Sequence, residues 1–257
     1  MKKAIIDFQV IENICLSPLY SLIRLTPEGG VPLPECLPGQ FVQIAVEGSK
    51  TTFLRRPISI CNVDRDANEL WLLIRLAGAG TAALLDSREG DVMNIIMPLG
   101  NGFSLPENKS QSLLLIGGGV GVAPLLLLGR ELKSKGYVPK FLLGARSSED
   151  LLLLDEFRKV GETFISTDNG TAGEKGVVTM NSVLTDHWDR IYCCGPSPMM
   201  KAVAKKAREI GAECEVSLEN MMACGLGACL CCVEKTVKGN VCVCTEGPVF
   251  NINDLTW

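Results

Sequence analysis

The sequence predicts a multidomain chain: an antiparallel β-barrel, then an α/β domain on a parallel sheet, then a small cysteine-dense unit. Three observations carry this. Residues 1–106 hold short apolar segments separated by turn residues, with almost no helical pattern. From Ser112 the pattern changes to short, wholly apolar strands alternating with helical stretches, as a parallel sheet covered on both faces requires. Finally, six of the twelve cysteines fall between Cys224 and Cys244.

In the first region the expected strands are 4–11, 20–25, 41–46, 58–61, 70–76 and 92–97, divided by Pro27, Gly29, Gly30, Pro38 and Gly39. One helix is expected from about Thr81. The second region reads as strand SLLLIG, a glycine loop with a helix to Lys135, strand FLLGA, helix LLLLDEFRKV, strand TFISTD, strand RIYCC and an amphipathic helix over 201–210. Strands alternating with helices imply right-handed parallel crossovers. A (β/α)8 barrel fits the length but not this order, because the first third lacks helices. A boundary in 105–111 divides the chain into 1–106, 107–212 and 213–257.

The 257 residues are 47% hydrophobic and 21% charged, with mean hydropathy +0.23, which excludes a mostly disordered chain. A net charge of −4 and only 5% aromatics argue against a nucleic-acid partner or a base-stacking surface. His187 is the single histidine, so a multi-histidine metal site is ruled out. The start, MKKAIIDFQV, lacks the apolar run of an export signal. The most apolar stretch, 113–129, is shorter than the ~20 residues a bilayer needs and is interrupted by glycines and Pro124. The expectation is a soluble, cytoplasmic protein without membrane contact, in whose reducing surroundings clustered thiols bind metal.

Cys224, Cys229 and Cys232 stand as C-x4-C-x2-C, with Cys244 twelve positions later. That spacing suits a [2Fe–2S] cluster, which needs four converging thiolates. Gly225 and Gly227 would let backbone N–H groups approach the sulfur atoms. Four-cysteine zinc is the alternative, although zinc ribbons usually carry two C-x2-C knuckles. Cys214, Cys231 and Cys242 are taken as non-ligands.

Three further motifs suggest nucleotide chemistry. The loop LIGGGVGVAP, with Gly117, Gly119 and Gly121, follows a strand and precedes a helix, where amides and the helix dipole hold a pyrophosphate. A plain strand-to-helix turn is the alternative. Arg146 and Ser147 near the end of the next strand leave NAD versus NADP open. Arg56, beside Pro57, is a candidate diphosphate clamp, and Ser59 a hydrogen-bond donor to a ring nitrogen. Cys194, Gly195 and Pro196 end the RIYCC strand, where the thiol would approach a nicotinamide or simply lie buried.

In order, R-P-I-S, G-x-G-x-x-P and C-G-P-x-x-M resemble the ferredoxin-reductase superfamily. With the C-terminal cysteine motif the chain resembles, over essentially its whole length, the electron-transfer subunits of bacterial NAD-dependent dihydroorotate dehydrogenase. The resemblance implies an FAD-binding barrel, an NAD-binding α/β domain and a [2Fe–2S] domain. It implies FAD contacts from Arg56, Pro57, Ile58, Ser59, Leu73, Ile74, Arg75, Gly80 and Thr81, NAD as a diffusible acceptor, and cluster ligation by Cys224, Cys229, Cys232 and Cys244. A separate FMN-containing catalytic subunit would complete a heterotetramer acting in pyrimidine biosynthesis, so no general acid or base is assigned to this chain. Cys231 departs from the family pattern. Small subunits of ferredoxin-NADP transhydrogenase or sulfide dehydrogenase type, and a zinc or redox-sensing binding protein, are the alternatives.

Overall fold

A computed structural model describes residues 2–47, 49 and 51–257. Six strands, β1 (Ala4–Ser17), β2 (Tyr20–Pro27), β3 (Phe41–Ile44), β4 (Arg56–Asp64), β5 (Glu69–Arg75) and β6 (Val92–Leu99), close an antiparallel barrel in the order β1-β2-β5-β4-β3-β6. Helix α1 (Ala79–Leu85) links β5 to β6. Alternation fills the barrel: Val42, Ile44, Ile60, Leu72, Ile74 and Ile95 are fully buried in one interior cluster. Strand β1 runs past the expected Ile11 to Ser17, because a tight turn at Pro18 and Leu19 lets Ser17 pair with Tyr20. Two register shifts along that hairpin bend β1 with the barrel wall.

The second part is a seven-stranded sheet. It comprises β7 (Leu113–Gly118), β8 (Pro139–Ala145), β9 (Thr163–Thr167), β10 (Glu174–Lys175), β11 (Arg190–Cys194), β12 (Glu213–Ser217) and β15 (Val249–Asn251), in the order β10-β9-β8-β7-β11-β12-β15. All neighbours are parallel except β12 and β15. Helices α2 (Ala123–Ser134) and α3 (Leu154–Val160) pack in a core distinct from that of α4 (Ser197–Ile210), so both faces are covered. Helix α4 starts before the expected Lys201, since Pro198 suits a first helical turn, and ends at left-handed Gly211. The expected LLLLDEFRKV helix is shorter. Leu153 adopts φ 56°, ψ 27°, so only Leu154–Val160 is helical, while Leu152 is buried among α2 and the sheet.

The tail adds a hairpin, β13 (Val233–Thr236) and β14 (Gly239–Cys242), a short helix α5 (Val243–Glu246), and β15 on the sheet edge. Shared cores bind the three parts together. Leu22, Cys61 and Leu73 of the barrel pack with α2. Phe41 and Leu99 of the barrel pack with Met222, Cys232 and Cys244 of the tail and Val216 of the sheet. At the first junction, Arg190 donates to the Leu105 carbonyl and the Ser104 hydroxyl, and Ser104 bonds Glu215. Among the described residues, no helix is long and apolar enough to cross a membrane.

Candidate functional site

The irregular loop between β12 and β13 carries Cys224, Cys229 and Cys232, and α5 carries Cys244. Two glycines shape that loop. Gly225 (φ +69°) and Gly227 (φ +82°) take left-handed conformations that side chains resist. Their turns aim amides at sulfur: Leu226 N donates to Cys224 Sγ at 3.3 Å, and Gly227 N donates to Cys244 Sγ at 3.2 Å. Cys244 N donates to Cys232 Sγ at 3.4 Å.

Cys229 neighbours Cys224, and Cys232 neighbours both Cys244 and Cys242. Among the described residues no group of three or more His, Cys, Asp or Glu side chains is set to hold a single metal ion. Burial alone would push the Cys224 thiol up. Amides of Leu226, Cys229 and Ala228 and the Cys229 thiol outweigh it and bring Cys224 down to about 6. Burial, then the neighbouring Cys232, pushes Cys244 up to about 12. A polarised thiol, amides directed at sulfur and four soft donors suit a thiolate-held iron–sulfur group.

The other cysteines are placed differently. Cys231 is exposed, and its Sγ faces the Met221 carbonyl at 3.6 Å. Cys214 is buried in the sheet core. Cys242 lies beside Cys232.

On the barrel, Arg56, Pro57, Ile58 and Ser59 open β4 and pair with Ile44, Gln43, Val42 and Phe41 of β3. Arg55 is occupied elsewhere, since its guanidinium donates to the Gln43 and Asn94 carbonyls and the Asn94 side chain. Arg56 comes together with Gly80: a Cβ on that glycine would lie 2.8 Å from the Arg56 Cδ. The Thr81 hydroxyl accepts from the Ala77 and Gly78 amides and donates to the Gly78 carbonyl, so it holds the start of α1. Leu73 and Ile74 point into separate apolar cores and pair with Leu22 and Ser21 of β2. Arg75 ends the strand exposed.

A cavity of about 460 Å³ opens at the carboxyl ends of β7, β8 and β9, where doubly wound sheets bind ligands. Gly119, Arg146, Asp168 and Pro196 line it from the sheet, and Tyr20 and Arg75 from the barrel. Gly117 and Gly121 serve packing. A Cβ on Gly121 would lie 2.5 Å from the Gly195 nitrogen, so the glycine loop and the loop after β11 touch backbone to backbone. Cys194 is buried, with Sγ 4.0 Å from Glu219 Oε1. Burial, then Glu219, keeps this thiol well above its ordinary value. Glu219 itself lines the cavity, and burial pushes its carboxyl up against the opposing pull of Arg75. Sequence reasoning missed Glu219, Tyr20 and Asp168, none of which belongs to a motif.

Residues 219–256 match the model for the iron–sulfur cluster binding domain of dihydroorotate dehydrogenase B. Residues 115–205 match the oxidoreductase NAD-binding domain. The electron transfer subunit of dihydroorotate dehydrogenase B (NAD(+)) from Fusobacterium nucleatum subsp. nucleatum is 40% identical over 230 residues, covering 86% of this chain and 88% of its own. The chain belongs to that family of electron transfer subunits. Its counterpart from Bacillus mycoides is 41% identical, covering 85% of this chain and 86% of its own.

Solved structures agree on the fold. An NADH-dependent reduced ferredoxin-NADP oxidoreductase, studied for flavin-based electron bifurcation, superposes with TM-score 0.86 at 28% identity, covering 97% of this chain and 90% of its own. Phthalate dioxygenase reductase superposes at 0.69 with 20% identity, covering 94% of each. Membership makes the chain an oxidoreductase component with iron–sulfur and NAD-binding segments.

Proposed function

We propose that this chain passes electrons from the FMN of a dihydroorotate-oxidising partner subunit to NAD+ through a [2Fe–2S] cluster and FAD, in the cytoplasm, as part of a two-plus-two heterotetramer. The observation that carries the reading is the set of backbone amides, from Leu226, Gly227 and Cys244, directed at the sulfurs of Cys224, Cys244 and Cys232 within the spaced cysteine motif. The cluster supplies one-electron transfer, and the flavin exchanges either single electrons or a hydride, so the two together connect a one-electron donor to a nicotinamide.

The residues divide the labour. Cys224, Cys229, Cys232 and Cys244 would hold the cluster, whose chemistry is one-electron transfer. The turned-away Cys231 and the sheet-bound Cys214 stay outside this set, and Cys242, although adjacent to Cys232, is not assigned as a ligand. Arg56 and the backbone of Pro57, Ile58 and Ser59 hold FAD on the barrel, with Arg75, Gly80, Thr81 and the backbone of Leu73 and Ile74 completing its site. Gly119 admits a pyrophosphate beside the sheet, while Gly117, Gly121, Cys194, Gly195 and Pro196 shape the nicotinamide side of the cavity. Functionally, residues 1–106 bind flavin and 107–212 bind NAD. Residues 213–257 carry the cluster loop and also lend β12 and β15 to the nucleotide sheet.

The complex is the object to test. Co-expressed with an FMN-containing, dihydroorotate-oxidising subunit, the chain is expected to copurify with it and to make dihydroorotate oxidation reduce NAD+. Dihydroorotate oxidation by this chain alone would overturn the division of labour. The 28% identity to a reduced ferredoxin-NADP oxidoreductase supports a second reading as the small subunit of such an enzyme. NAD+ reduction by reduced ferredoxin, with none by dihydroorotate, would favour it.

A further inference from the structure

Strand β3 has two faces. Val42 and Ile44 fill the barrel, while Phe41 and Gln43 point outward towards the tail, Phe41 packing in one cluster with Cys232 and Cys244. Gln43 is fully buried, and neither its Oε1 nor its Nε2 has a hydrogen-bond partner among the described residues. The other buried orphans, Asn13 Oδ1 and Arg190 Nε, belong to side chains bonded through their remaining atoms. Among the buried side chains of the described residues, Gln43 alone has both ends of its amide unmet. Dry, unpaired amides are rare in folded chains, because losing water without a replacement partner is costly.

The location of this amide is informative. Gln43 pairs with Pro57, so it shares a face of the sheet with Pro57 and Ser59 of the β4 strip. On its other side it meets Gly225, directly after Cys224. A Cβ at Gly225 would lie 2.8 Å from both the Gln43 Cγ and Nε2. Glycine there leaves the amide room to lie against the backbone of the cysteine loop.

We propose that Gln43 Nε2 donates a hydrogen bond to sulfur on the Cys224 side of the cluster, making Gln43 a positioning residue that raises the cluster's reduction potential. This rests on the electron-relay reading above. An N–H donor directed at sulfur stabilises the more negative, reduced cluster, so donors of this kind raise the potential. The placement beside the flavin strip would match the cluster to its neighbour in the relay. No covalent step is involved.

The test is an EPR-monitored redox titration of the complete complex carrying Gln43→Met, which keeps length and removes both polar atoms, and Gln43→Glu, which replaces the donor with an acceptor. The inference predicts a lower cluster potential in Gln43→Met, a lower one still in Gln43→Glu, and an unchanged FAD potential and content. An unmoved cluster potential in both variants would overturn it. So would a shift confined to the flavin, which would assign the amide to FAD. Should the variants fail to load, the wild-type complex labelled with 15N at the glutamine side-chain amide decides the matter: pulsed EPR of the reduced cluster shows coupling to that nitrogen if the bond exists and none if it does not. A wild-type complex without any cluster signal would instead defeat the underlying reading.

Discussion

Cys229 is exposed and neighbours Cys224, so its replacement by serine costs the fold little and the proposed thiolate set one member. Cys229→Ser is expected to abolish the cluster and electron flow from the partner while most NADH–dye activity through FAD survives, which steady-state assays with both acceptors will measure. Equal loss of both activities would contradict a linear relay. Gly121 tests packing rather than chemistry. Its missing side chain lets two loops touch at Gly195, and Gly121→Ala forces them apart, a displacement expected to cost roughly 1–3 kcal/mol. Denaturant unfolding will show a lower midpoint and NADH titration weaker binding. At this scale the sequence was legible wherever a residue sat in a spaced motif. The cysteines could be nominated because ligand spacing is local, and Arg56 because proline fixes its strand. Thr81 was readable only as a position, since nothing local reveals that its hydroxyl caps its own helix. Glu219 and Gln43 were invisible, because what distinguishes each is burial created by distant segments.

Elements were legible to the extent that periodicity and punctuation determined them. The barrel strands follow alternation, and β7 and β8 follow unbroken apolar runs. Two elements diverged for tertiary reasons. LLLLDEFRKV has helical character throughout, yet Leu152 is needed in the core against α2, and the chain enters α3 only after a left-handed turn at Leu153. Strand β15 is three residues with no periodic signal, and it exists because β12 offers an open edge. Asn101, just after β6, also ties down the cluster segment: it donates at 3.0 Å to the carbonyls of Thr245 and Glu246, and its amide bonds the Gly247 carbonyl. Removing its side chain loses two exposed hydrogen bonds, a matter of about 1 kcal/mol. Asn101→Ala is therefore expected to keep the fold but bleach faster in air, followed as visible absorbance against time.

The whole molecule is three units welded by shared apolar cores, which decides what survives loss of metal. The barrel interior and the α2 core contain none of the four proposed ligands, whereas the third core includes Cys232 and Cys244. Stripping iron with a chelator under reducing conditions is expected to leave the barrel and sheet amides protected in hydrogen exchange while residues 219–246 lose protection. Uniform loss of protection would mean that the cluster holds the entire fold. The order of domains was legible from texture alone, since barrel, alternating α/β and cysteine tail differ in period and composition. What could not be read was that the tail returns to complete the nucleotide sheet. The most direct measurement of the relay is the ratio of iron, inorganic sulfide and FAD in anaerobically prepared complex. The account predicts two irons and two sulfides for each FAD on this chain, whereas zinc in place of iron, or iron without sulfide, would contradict it.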